Sequence, residues 1–279
     1  MEPNITQLQV DKIRELIYKE AGILVETRKD ASFSARIQRC MAAIGVTNFY
    51  EYYQMLLKGS YGVELQNLIE ALTVNETYFF RNFPQIQGFA ENALPLLLDE
   101  KRARNDFRLK IWSAACSTGE EAYTLSITLQ EMIEDYENWD VSILATDIDR
   151  QVLHMARKGE YGQRSMKNTP LPYREKYFEY RGNYWRVLPH TAAPVRFELL
   201  NLVDRQAMRR QRGYDIIFCR NVLIYFNDLS RRKVVNSFYD ALYPGGFLFL
   251  GSSESVGRIT AAFELIKLNG FLCYRKPKP

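Results

Sequence analysis

From residue 107 onward, short apolar runs alternate with segments of helical periodicity, and this alternation restricts the fold more than any other feature of the sequence. The apolar runs predict strands over residues 109–115, 141–145, 214–219 and 247–250. The helical patterns follow at residues 120–136, 150–158 and 229–242. The run at 214–219 is almost continuously apolar, which is typical of a strand buried on both faces of a parallel sheet. The sequence therefore predicts an α/β fold with a doubly wound sheet.

Two segments depart from this alternation. Residues 177–200 are rich in aromatic and β-branched side chains around a Gly182-Asn183 turn, which predicts a small antiparallel excursion inserted into the sheet. Residues 263–274 form two apolar runs joined at Asn269-Gly270, a strong hairpin signal. A final hairpin gives the sheet an antiparallel edge. Because a dinucleotide-binding sheet is mostly parallel, this edge favours a methyltransferase over a dehydrogenase.

The N-terminal part of the chain is predicted to be helical. The first helix has apolar positions at Leu8, Val10, Ile13, Leu16 and Ile17 and ends at Gly22. Three more helices are predicted, over residues 31–44, after the capping residue Asn48, and over residues 63–72. The pattern changes after about residue 75, so the helices form a small domain of their own.

Composition excludes several classes of protein. Lys and Arg number 37 against 33 Asp and Glu, and a net charge of +4 is too small for a nucleic-acid-binding domain but is compatible with an acidic protein partner. The four cysteines contain no C-x-x-C pair and the two histidines are isolated, so neither a metal site nor a disulfide framework is expected. No signal peptide precedes residue 12 and no apolar run is long enough to insert into a membrane, so we expect a cytoplasmic protein.

The end of the first predicted strand is the first candidate ligand site. Residues 114–119 are mostly small, which allows a ligand to approach the backbone, but they lack the G-x-G-x-x-G pattern of dinucleotide sites. Glu120 and Glu121 stand where a pyrophosphate would bind and would repel it. A ligand that carries an ammonium and a sulfonium, such as S-adenosylmethionine, suits this site better than NAD. Alternatively, both glutamates only stabilise a helix N-terminus through its dipole.

Three other strand ends carry polar residues. Asp147, at the end of the second strand, is well placed to accept hydrogen bonds from two ribose hydroxyls, whereas Asp149 is predicted to cap the next helix. Arg220 and Asn221 follow the buried run at 214–219 and either face a ligand or satisfy loop carbonyls. A similar strand end, which could bracket an adenine, is formed by Asn201 and Leu202.

These motifs together resemble the CheR family, chemotaxis methyltransferases that methylate glutamates of chemoreceptors. The resemblance rests on the helical N-terminal part and, in order, on residues 112–121 (WSAACSTGEE), 146–149 (TDID) and 218–226 (FCRNVLIYF). It covers nearly the whole chain, and Pro244-Gly245-Gly246 is also similar, although many methyltransferases share it. The resemblance implies a Rossmann-like class I methyltransferase sheet with an antiparallel C-terminal hairpin, an inserted antiparallel β-subdomain and an all-helical N-terminal domain. The implied boundaries are 1–75 for the helical domain, 76–94 for a linker to the cofactor site, 95–279 for the methyltransferase domain and about 172–197 for the insertion.

The resemblance also implies roles for individual residues. S-adenosylmethionine, and its product S-adenosylhomocysteine, would be bound by Asn75, Thr77, Arg81, Glu120, Glu121, Asp147, Asn201, Leu202, Arg220 and Asn221. Arg81, in the linker segment that closes over the cofactor, could hold the substrate carboxylate or the methionine carboxylate. Tyr225 could orient the substrate through its hydroxyl, or it could only pack beside Phe226.

The implied substrate is a glutamate on the cytoplasmic methylation helices of a chemoreceptor. Its carboxylate is already ionised near neutral pH, so the reaction needs orientation rather than a general base. Arg36 and Arg39 are three residues apart and share a helix face that could dock an acidic receptor, or that is only solvated. Some family members bind a receptor's C-terminal peptide on the β-subdomain. The turn at Gly182-Asn183 is shorter than in those members, which predicts action without tail tethering. Nothing in the residues indicates an oligomeric state, and a non-catalytic module that senses S-adenosylmethionine is the alternative function.

Overall fold

A computed structural model describes residues 5–58, 62–73, 75–257, 259–268 and 270–278 of the chain. The chain divides into two compact units. The first comprises Met1–Val74 and Ile224–Arg231, and the second comprises Asn75–Leu223 and Arg232–Pro279.

The first unit contains the predicted helices. They are α1 (Gln7–Ala21), α2 (Asp30–Ala43), α3 (Phe49–Leu57) and α4 (Val63–Leu72), with a 3₁₀ turn at Thr27–Lys29. Thr6 begins α1 with a capping box, Gly22 ends it at φ 70°, and Asn48 caps α3. Side chains from these helices form a buried core that includes Ile13, Ile17, Phe33, Ile37, Tyr52 and Leu68.

One apolar position of α1 was assigned to the wrong face. Leu8 is 69% exposed, although Val10, Ile13, Leu16 and Ile17 are buried. Successive residues of an α-helix are about 100° apart, so Leu8 lies on the side of the helix roughly opposite to Val10. The buried stripe therefore starts at Val10.

The second unit begins with helices that the sequence did not reveal. Helices α5 (Phe83–Gly88) and α6 (Leu94–Arg102) are joined by a π-helical turn at Phe89–Ala93, within and just beyond the segment predicted as a linker. The remaining helices are α7 (Glu120–Met132), α8 (Arg150–Lys158), α9 (Gln163–Met166), α10 (Leu171–Tyr177), α11 (Pro189–Ala192) and α12 (Arg205–Arg209). The last helix, α13 (Asp228–Ala241), begins in the segment assigned to the first unit and continues in the second. Short 3₁₀ turns lie at Tyr136–Asn138 and Leu223–Tyr225.

The strands confirm the predicted α/β class. They are β1 (Arg108–Ala114), β2 (Asp140–Asp147), β3 (Glu160–Tyr161), β4 (Phe178–Tyr180), β5 (Trp185–Val187), β6 (Val195–Leu199), β7 (Tyr214–Cys219), β8 (Leu242–Leu250), β9 (Glu264–Leu268) and β10 (Phe271–Arg275). Within the described residues the main sheet has seven strands in the order β6-β2-β1-β7-β8-β10-β9. The first five strands of this order, β6, β2, β1, β7 and β8, pair in parallel. Strand β10 pairs antiparallel with β8 and with β9.

The C-terminal hairpin is confirmed by the antiparallel pairing of β9 with β10. Of its predicted turn residues, Gly270 has a φ of 90°, and Asn269 lies outside the described residues. The left-handed backbone at Gly270 is the conformation that a tight hairpin turn requires. The hairpin gives the otherwise parallel sheet an antiparallel edge.

The predicted antiparallel excursion is correct only in part. A separate small sheet has the order β3-β5-β4, so it starts at Glu160 rather than near residue 172. Val195–Leu199 was assigned to this excursion but pairs in parallel with β2 in the main sheet. As an edge strand, β6 is covered less completely than the central strands, and only Phe197 is buried. Its sequence, VRFEL, alternates apolar and polar residues and so imitates an antiparallel strand.

Aromatic side chains cover one face of the parallel strands. Phe218 and Phe249 are paired across β7 and β8, and their rings stack at 4.6 Å between centroids. Phe89, from the π-helical turn, meets both rings edge-on at 5.3 and 5.7 Å. Edge-to-face and stacked contacts of this kind add about 0.5–1.5 kcal/mol each to the burial of the rings. The turn that connects α5 to α6 is thereby fixed on the sheet.

Among the described residues, no helix combines the length and the apolar character that spanning a membrane requires.

The Pro244-Gly245-Gly246 segment forms an irregularity at the start of β8. The register between β7 and β8 shifts between Tyr214 and Ile216, and a Cβ at Gly246 would lie 2.8 Å from the backbone oxygen of Asp215. Two strands can approach this closely only because Gly246 has no side chain.

We therefore expect Gly246→Ala to lower the free energy of unfolding by about 2 kcal/mol, because the added methyl group must displace backbone. Gly162→Ala is the matched control, since a Cβ at Gly162 meets nothing within 4 Å and its φ is −82°. Urea denaturation followed by tryptophan fluorescence measures both variants. Equal stabilities of the two variants would show that the close approach at Gly246 is not a constraint.

Candidate cofactor site

Polar side chains collect where three neighbouring strands end. Strands β2, β1 and β7 are adjacent and parallel, so their carboxyl ends lie at the same edge of the sheet. Asp147 is the last residue of β2, the loop 115–119 follows β1, and Arg220 follows β7. The edge therefore brings together residues that are more than 100 positions apart in sequence, as we expected from the strand ends.

The loop after β1 has an unusual backbone. Ala115, Ser117 and Gly119 have φ values of 62°, 50° and 93°. A Cβ at Gly119 would lie 2.9 Å from the Cβ of Ala156, so only glycine fits there. The other described non-glycine residues with positive φ are Phe80, Asn82, Asn105 and Asn221, and of these only Asn105 lies outside the linker and the strand ends. Backbone strain concentrates at functional sites, where surrounding contacts hold it in place.

Asp147 is a buried acceptor. Its carboxylate is 5% exposed and accepts hydrogen bonds from the backbone N–H groups of Ser117, at 2.8 Å, and Asp149, at 3.0 Å. Within the described residues it forms no ion pair with a basic side chain. Burial, and to a smaller extent the charge of Asp149, raises the pKa of Asp147 to about 6. A buried carboxylate without a cation is suited to a ligand that brings hydroxyl or ammonium donors.

Asp149 caps α8, as predicted, and also meets the linker. Its carboxylate accepts hydrogen bonds from the N–H groups of Gln151 and Val152 at 2.8 and 3.1 Å. It also accepts one from the side-chain amide of Asn75 at 2.8 Å. The hydroxyl of Ser117 donates to the backbone oxygen of Asn75 at 3.4 Å. The beginning of the linker is thus tied to the ends of β1 and β2.

The two consecutive glutamates have different surroundings. Glu120 is 2% exposed and accepts hydrogen bonds from the hydroxyls of Thr118, at 2.6 Å, and Ser165, at 2.8 Å. Burial raises the pKa of Glu120. Glu121 accepts a hydrogen bond from the Ser113 hydroxyl at 2.7 Å and forms an ion pair with Arg220 at 2.9 Å. Glu120 therefore connects α7 to α9. Glu121 joins Asp147 and Arg220 at the carboxyl ends of the strands, and we call these three residues the strand-end cluster.

Arg220 contacts three segments with one buried guanidinium. It donates to the backbone oxygen of Arg81 at 2.8 Å and to the side-chain oxygen of Gln85 at 3.2 Å. Its Nε lies 2.9 Å from Glu121, but its N–H is not aligned for a hydrogen bond with any described acceptor. Arg220 thus satisfies a loop carbonyl, which was one of the two roles expected for it. Gln85, which also donates to the backbone oxygen of Leu250 at 2.7 Å, was missed because the sequence did not reveal α5.

The remaining predicted cofactor residues of the second unit lie at the linker, at the end of β6 and, for Asn221, directly after Arg220 at the end of β7. Arg81 is half-buried and donates to the backbone oxygen of Glu76 at 2.5 Å, and Thr77 is half-buried beside it in sequence. Asn201 and Leu202 are buried after β6. The residue before them, Leu200, donates its N–H to the backbone oxygen of Asp147 at 2.9 Å, which brings this strand end next to that of β2.

Tyr225, Arg36 and Arg39 belong to the first unit. The backbone oxygen of Tyr225 accepts the N–H of Leu24 at 2.8 Å. The guanidinium of Arg36 donates to the carbonyls of Ala71 and Leu72, at 3.0 and 3.2 Å, and so satisfies the C-terminus of α4. Arg39 is exposed, and its Nε–H donates to the carbonyl of Ala35, one turn earlier in α2.

The residues at the strand ends fit S-adenosylmethionine. Buried carboxylates at the end of β2 and in the first turn of α7 suit the hydroxyl and ammonium donors of this cofactor. Gly119 lets the loop after β1 pack closely against Ala156 and Phe197. The first turn of α7 carries Glu120 and Glu121, which disfavours a pyrophosphate. No group of three or more His, Cys, Asp or Glu side chains in the described ranges is arranged to hold a metal ion. Together, the fold and the site define a Rossmann-like methyltransferase that uses S-adenosylmethionine.

Comparison with known proteins gives the family. The family model described as "CheR methyltransferase, SAM binding domain" matches residues 75–272, and the model "CheR methyltransferase, all-alpha domain" matches residues 9–73. The chain belongs to the CheR methyltransferase family, which confirms the resemblance found in the sequence. It is 39% identical to chemotaxis protein methyltransferase 2 of Vibrio cholerae, over 98% of this chain and 94% of the relative. It is 35% identical to the chemotaxis protein methyltransferase of Escherichia coli, over 91% of this chain and 86% of the relative.

We predict that Asp147 accepts hydroxyl groups of the cofactor, and its raised pKa then makes cofactor affinity depend on pH. Hydroxyl donors would favour the ionised carboxylate, so protonation below a pKa of about 6 would compete with binding. We expect the dissociation constant for S-adenosylhomocysteine to be about tenfold higher at about pH 5 than at about pH 7.5, measured by calorimetric titration. In Asp147→Asn, affinity should be low and nearly independent of pH over the same interval. A flat profile for the unsubstituted protein would show that Asp147 does not titrate in this way.

Proposed function

We propose that this chain methylates glutamate side chains on the cytoplasmic helices of chemoreceptors with S-adenosylmethionine, giving glutamate methyl esters for chemotactic adaptation. The observation that carries the proposal is the 39% identity, over 98% of this chain, to a protein named as a chemotaxis methyltransferase. Both the helical part and the sheet-containing part are matched by models of one family, which supports a common substrate as well as a common cofactor.

The proposal assigns the cofactor to the strand-end cluster and the linker. S-adenosylmethionine supplies an activated methyl group on a positively charged sulfur. Asp147 would accept the ribose hydroxyls, and Asn201 with Leu202 would flank the adenine. Glu121 would provide negative charge near the cationic groups, while Arg220 holds Glu121 in place. The linker residues Asn75, Thr77 and Arg81, with Asn221, would complete the site, and the contacts of Glu120 with Thr118 and Ser165 support a structural role for that residue.

The proposed nucleophile is a carboxylate, which needs no base to remove a proton. The two histidines, His154 and His190, are exposed and form no hydrogen bond with the site residues named above. Catalysis would then come from holding the substrate oxygen in line with the methyl group, an orientation effect. Arg81 uses one of its five N–H donors for the Glu76 carbonyl, so it has donors left for a carboxylate. We assign the orientation of the substrate to Arg81 and Tyr225.

We further propose that the chain acts without a receptor tail tether. In the small sheet, β4 and β5 are joined by a short connection in which Arg181 donates its N–H to the carbonyl of Tyr184 at 2.8 Å. This short connection supports the interpretation that the subdomain lacks the longer turn of tail-binding family members.

A methyl-transfer assay tests the proposed function. The full-length protein is incubated with S-adenosylmethionine labelled at the methyl group and with cytoplasmic fragments of chemoreceptors. We expect label on the receptor that is released as methanol by mild base, because carboxylate methyl esters hydrolyse readily. Fragments in which the candidate glutamates are replaced by alanine serve as the matched control and should stay unlabelled.

Two results would contradict the proposal. Label that resists base would indicate methylation of a different side chain. Tight binding of S-adenosylhomocysteine without transfer to any receptor fragment would favour the alternative of a non-catalytic module that senses S-adenosylmethionine.

Charge on α2 gives a second test, because an acidic receptor helix should be attracted to it. We expect Arg39→Glu to raise the KM for the receptor fragment about fivefold at low salt, the equivalent of a surface charge interaction of about 1 kcal/mol. The affinity for S-adenosylhomocysteine should not change. High salt should reduce the difference between variant and parent, since exposed charges are screened.

Arg104→Glu is the matched control for this test. Arg104 is also exposed and also donates its Nε–H to the carbonyl four residues earlier, that of Glu100. Arg36→Glu is less informative, because it removes the hydrogen bonds of Arg36 to the end of α4. Equal KM values for Arg39→Glu and the parent at low salt would argue against docking through α2.

A further inference from the structure

Glu254 lies four residues after the end of β8 and collects three backbone hydrogen bonds. Its carboxylate accepts the N–H groups of Asn221 and Val222, each at 2.8 Å, and of Gly251 at 2.7 Å. Asn221 and Val222 follow β7, and Gly251 follows β8. One side chain therefore joins the carboxyl ends of two neighbouring strands at the edge that carries the cofactor site.

A tight turn brings Glu254 back to these strand ends. The N–H of Glu254 donates to the carbonyl of Gly251 at 2.9 Å. A Cβ at Gly251 would lie 2.7 Å from the Glu254 carboxylate, 2.9 Å from the backbone nitrogen of Asn221 and 3.1 Å from its side-chain nitrogen. The glycine leaves the space that the carboxylate and Asn221 occupy. Gly251 and Glu254 thus form one arrangement around Asn221.

The carboxylate acts on a residue with a strained backbone. Asn221 has a φ of 61°, in the left-handed region, which asparagine tolerates better than most residues but which still needs support. Glu254 accepts the N–H on each side of the Asn221 α-carbon, so it fixes both peptide planes that determine where the side chain points. Hydrogen bonds to a charged acceptor are roughly twice as strong as neutral ones.

Two carboxylates, those of Glu254 and Glu121, lie near the buried thiol of Cys219, the last residue of β7. Burial raises the pKa of the Cys219 thiol well above its ordinary value, and the nearby charges of Glu254 and Glu121 raise it further. The thiol therefore stays protonated and apolar in the core, while the two carboxylates occupy the polar edge beyond it.

We propose that Glu254 is a positioning residue of the cofactor site, which holds Asn221 in its left-handed conformation and thereby orients the Asn221 side chain toward the cofactor. The inference rests on the proposed assignment of Asn221 to S-adenosylmethionine. It predicts that Glu254 strengthens cofactor binding only when the Asn221 side chain is present.

A double-mutant cycle on the full chain tests this dependence. The dissociation constant for S-adenosylhomocysteine is measured by calorimetry for the parent, Glu254→Gln, Asn221→Ala and the double variant. Glutamine keeps the shape of the side chain but replaces one accepting oxygen with an NH₂ group that faces N–H donors. We expect each single variant to bind about tenfold more weakly, and the double variant to bind no more weakly than Asn221→Ala alone. Glu264→Gln, the same change at an exposed glutamate of β9, should bind like the parent.

Each other outcome has a distinct meaning. Additive losses in the double variant would show that Glu254 supports the fold without acting through Asn221, which overturns the inference. Parent-like binding by Glu254→Gln would overturn it as well. Parent-like binding by Asn221→Ala would instead remove Asn221 from the cofactor site, and with it the basis of the inference. If Glu254→Gln does not fold, Glu254→Asp replaces it in the same cycle, since the shorter carboxylate keeps the charge and should show a smaller loss that is again absent without Asn221.

Discussion

A single buried guanidinium, that of Arg220, holds the candidate cofactor site together. It reaches the linker through the carbonyl of Arg81, helix α5 through Gln85, and the start of α7 through Glu121. A buried arginine is stable only if its charge is balanced, and Glu121 provides that balance. Loss of either partner would leave the other as an unpaired buried charge, a change that costs about 3–5 kcal/mol in known cases. The linker and the sheet edge therefore depend on the same ion pair.

Four acidic residues accompany this cation at the edge of the sheet. Asp147 and Asp149 lie at the end of β2, and Glu120 and Glu121 lie in the first turn of α7. Burial raises the pKa of Asp147 and of Glu120, which means that the fold keeps these carboxyl groups in a setting that disfavours their charge. Such a setting becomes favourable when a ligand brings positive charge or hydrogen-bond donors. The same acidity disfavours phosphate, so the electrostatics of the site select the cofactor class.

Periodicity and strand-end chemistry predicted much of this molecule. The strand at 214–219 was predicted to the residue, because a strand buried on both faces is a continuous apolar run. Strand β6 was misassigned, since its edge position leaves it unevenly covered and its sequence alternates apolar and polar residues as in an antiparallel strand. Helix α5 was missed because it has only six residues and includes Pro84 and Gly88, and the tertiary hydrogen bonds of Gln85 leave no trace in local sequence. Likewise, nothing near Arg36 in sequence shows that it caps a helix 35 residues later.

The geometry of an α-helix separates the two glutamates that begin α7. Consecutive residues point about 100° apart, so a tandem pair cannot face one ligand equally. Glu120 turns toward Ser165 of α9, and Glu121 turns toward Ser113 of β1 and Arg220. Each orientation is fixed by a hydroxyl donor within 2.8 Å, so exchange of the two roles would require breaking both bonds. Sequence alone presents two equivalent carboxylates at a helix N-terminus. The fold makes one of them a brace between helices and leaves the other at the strand ends, where the charge of a cofactor can be balanced.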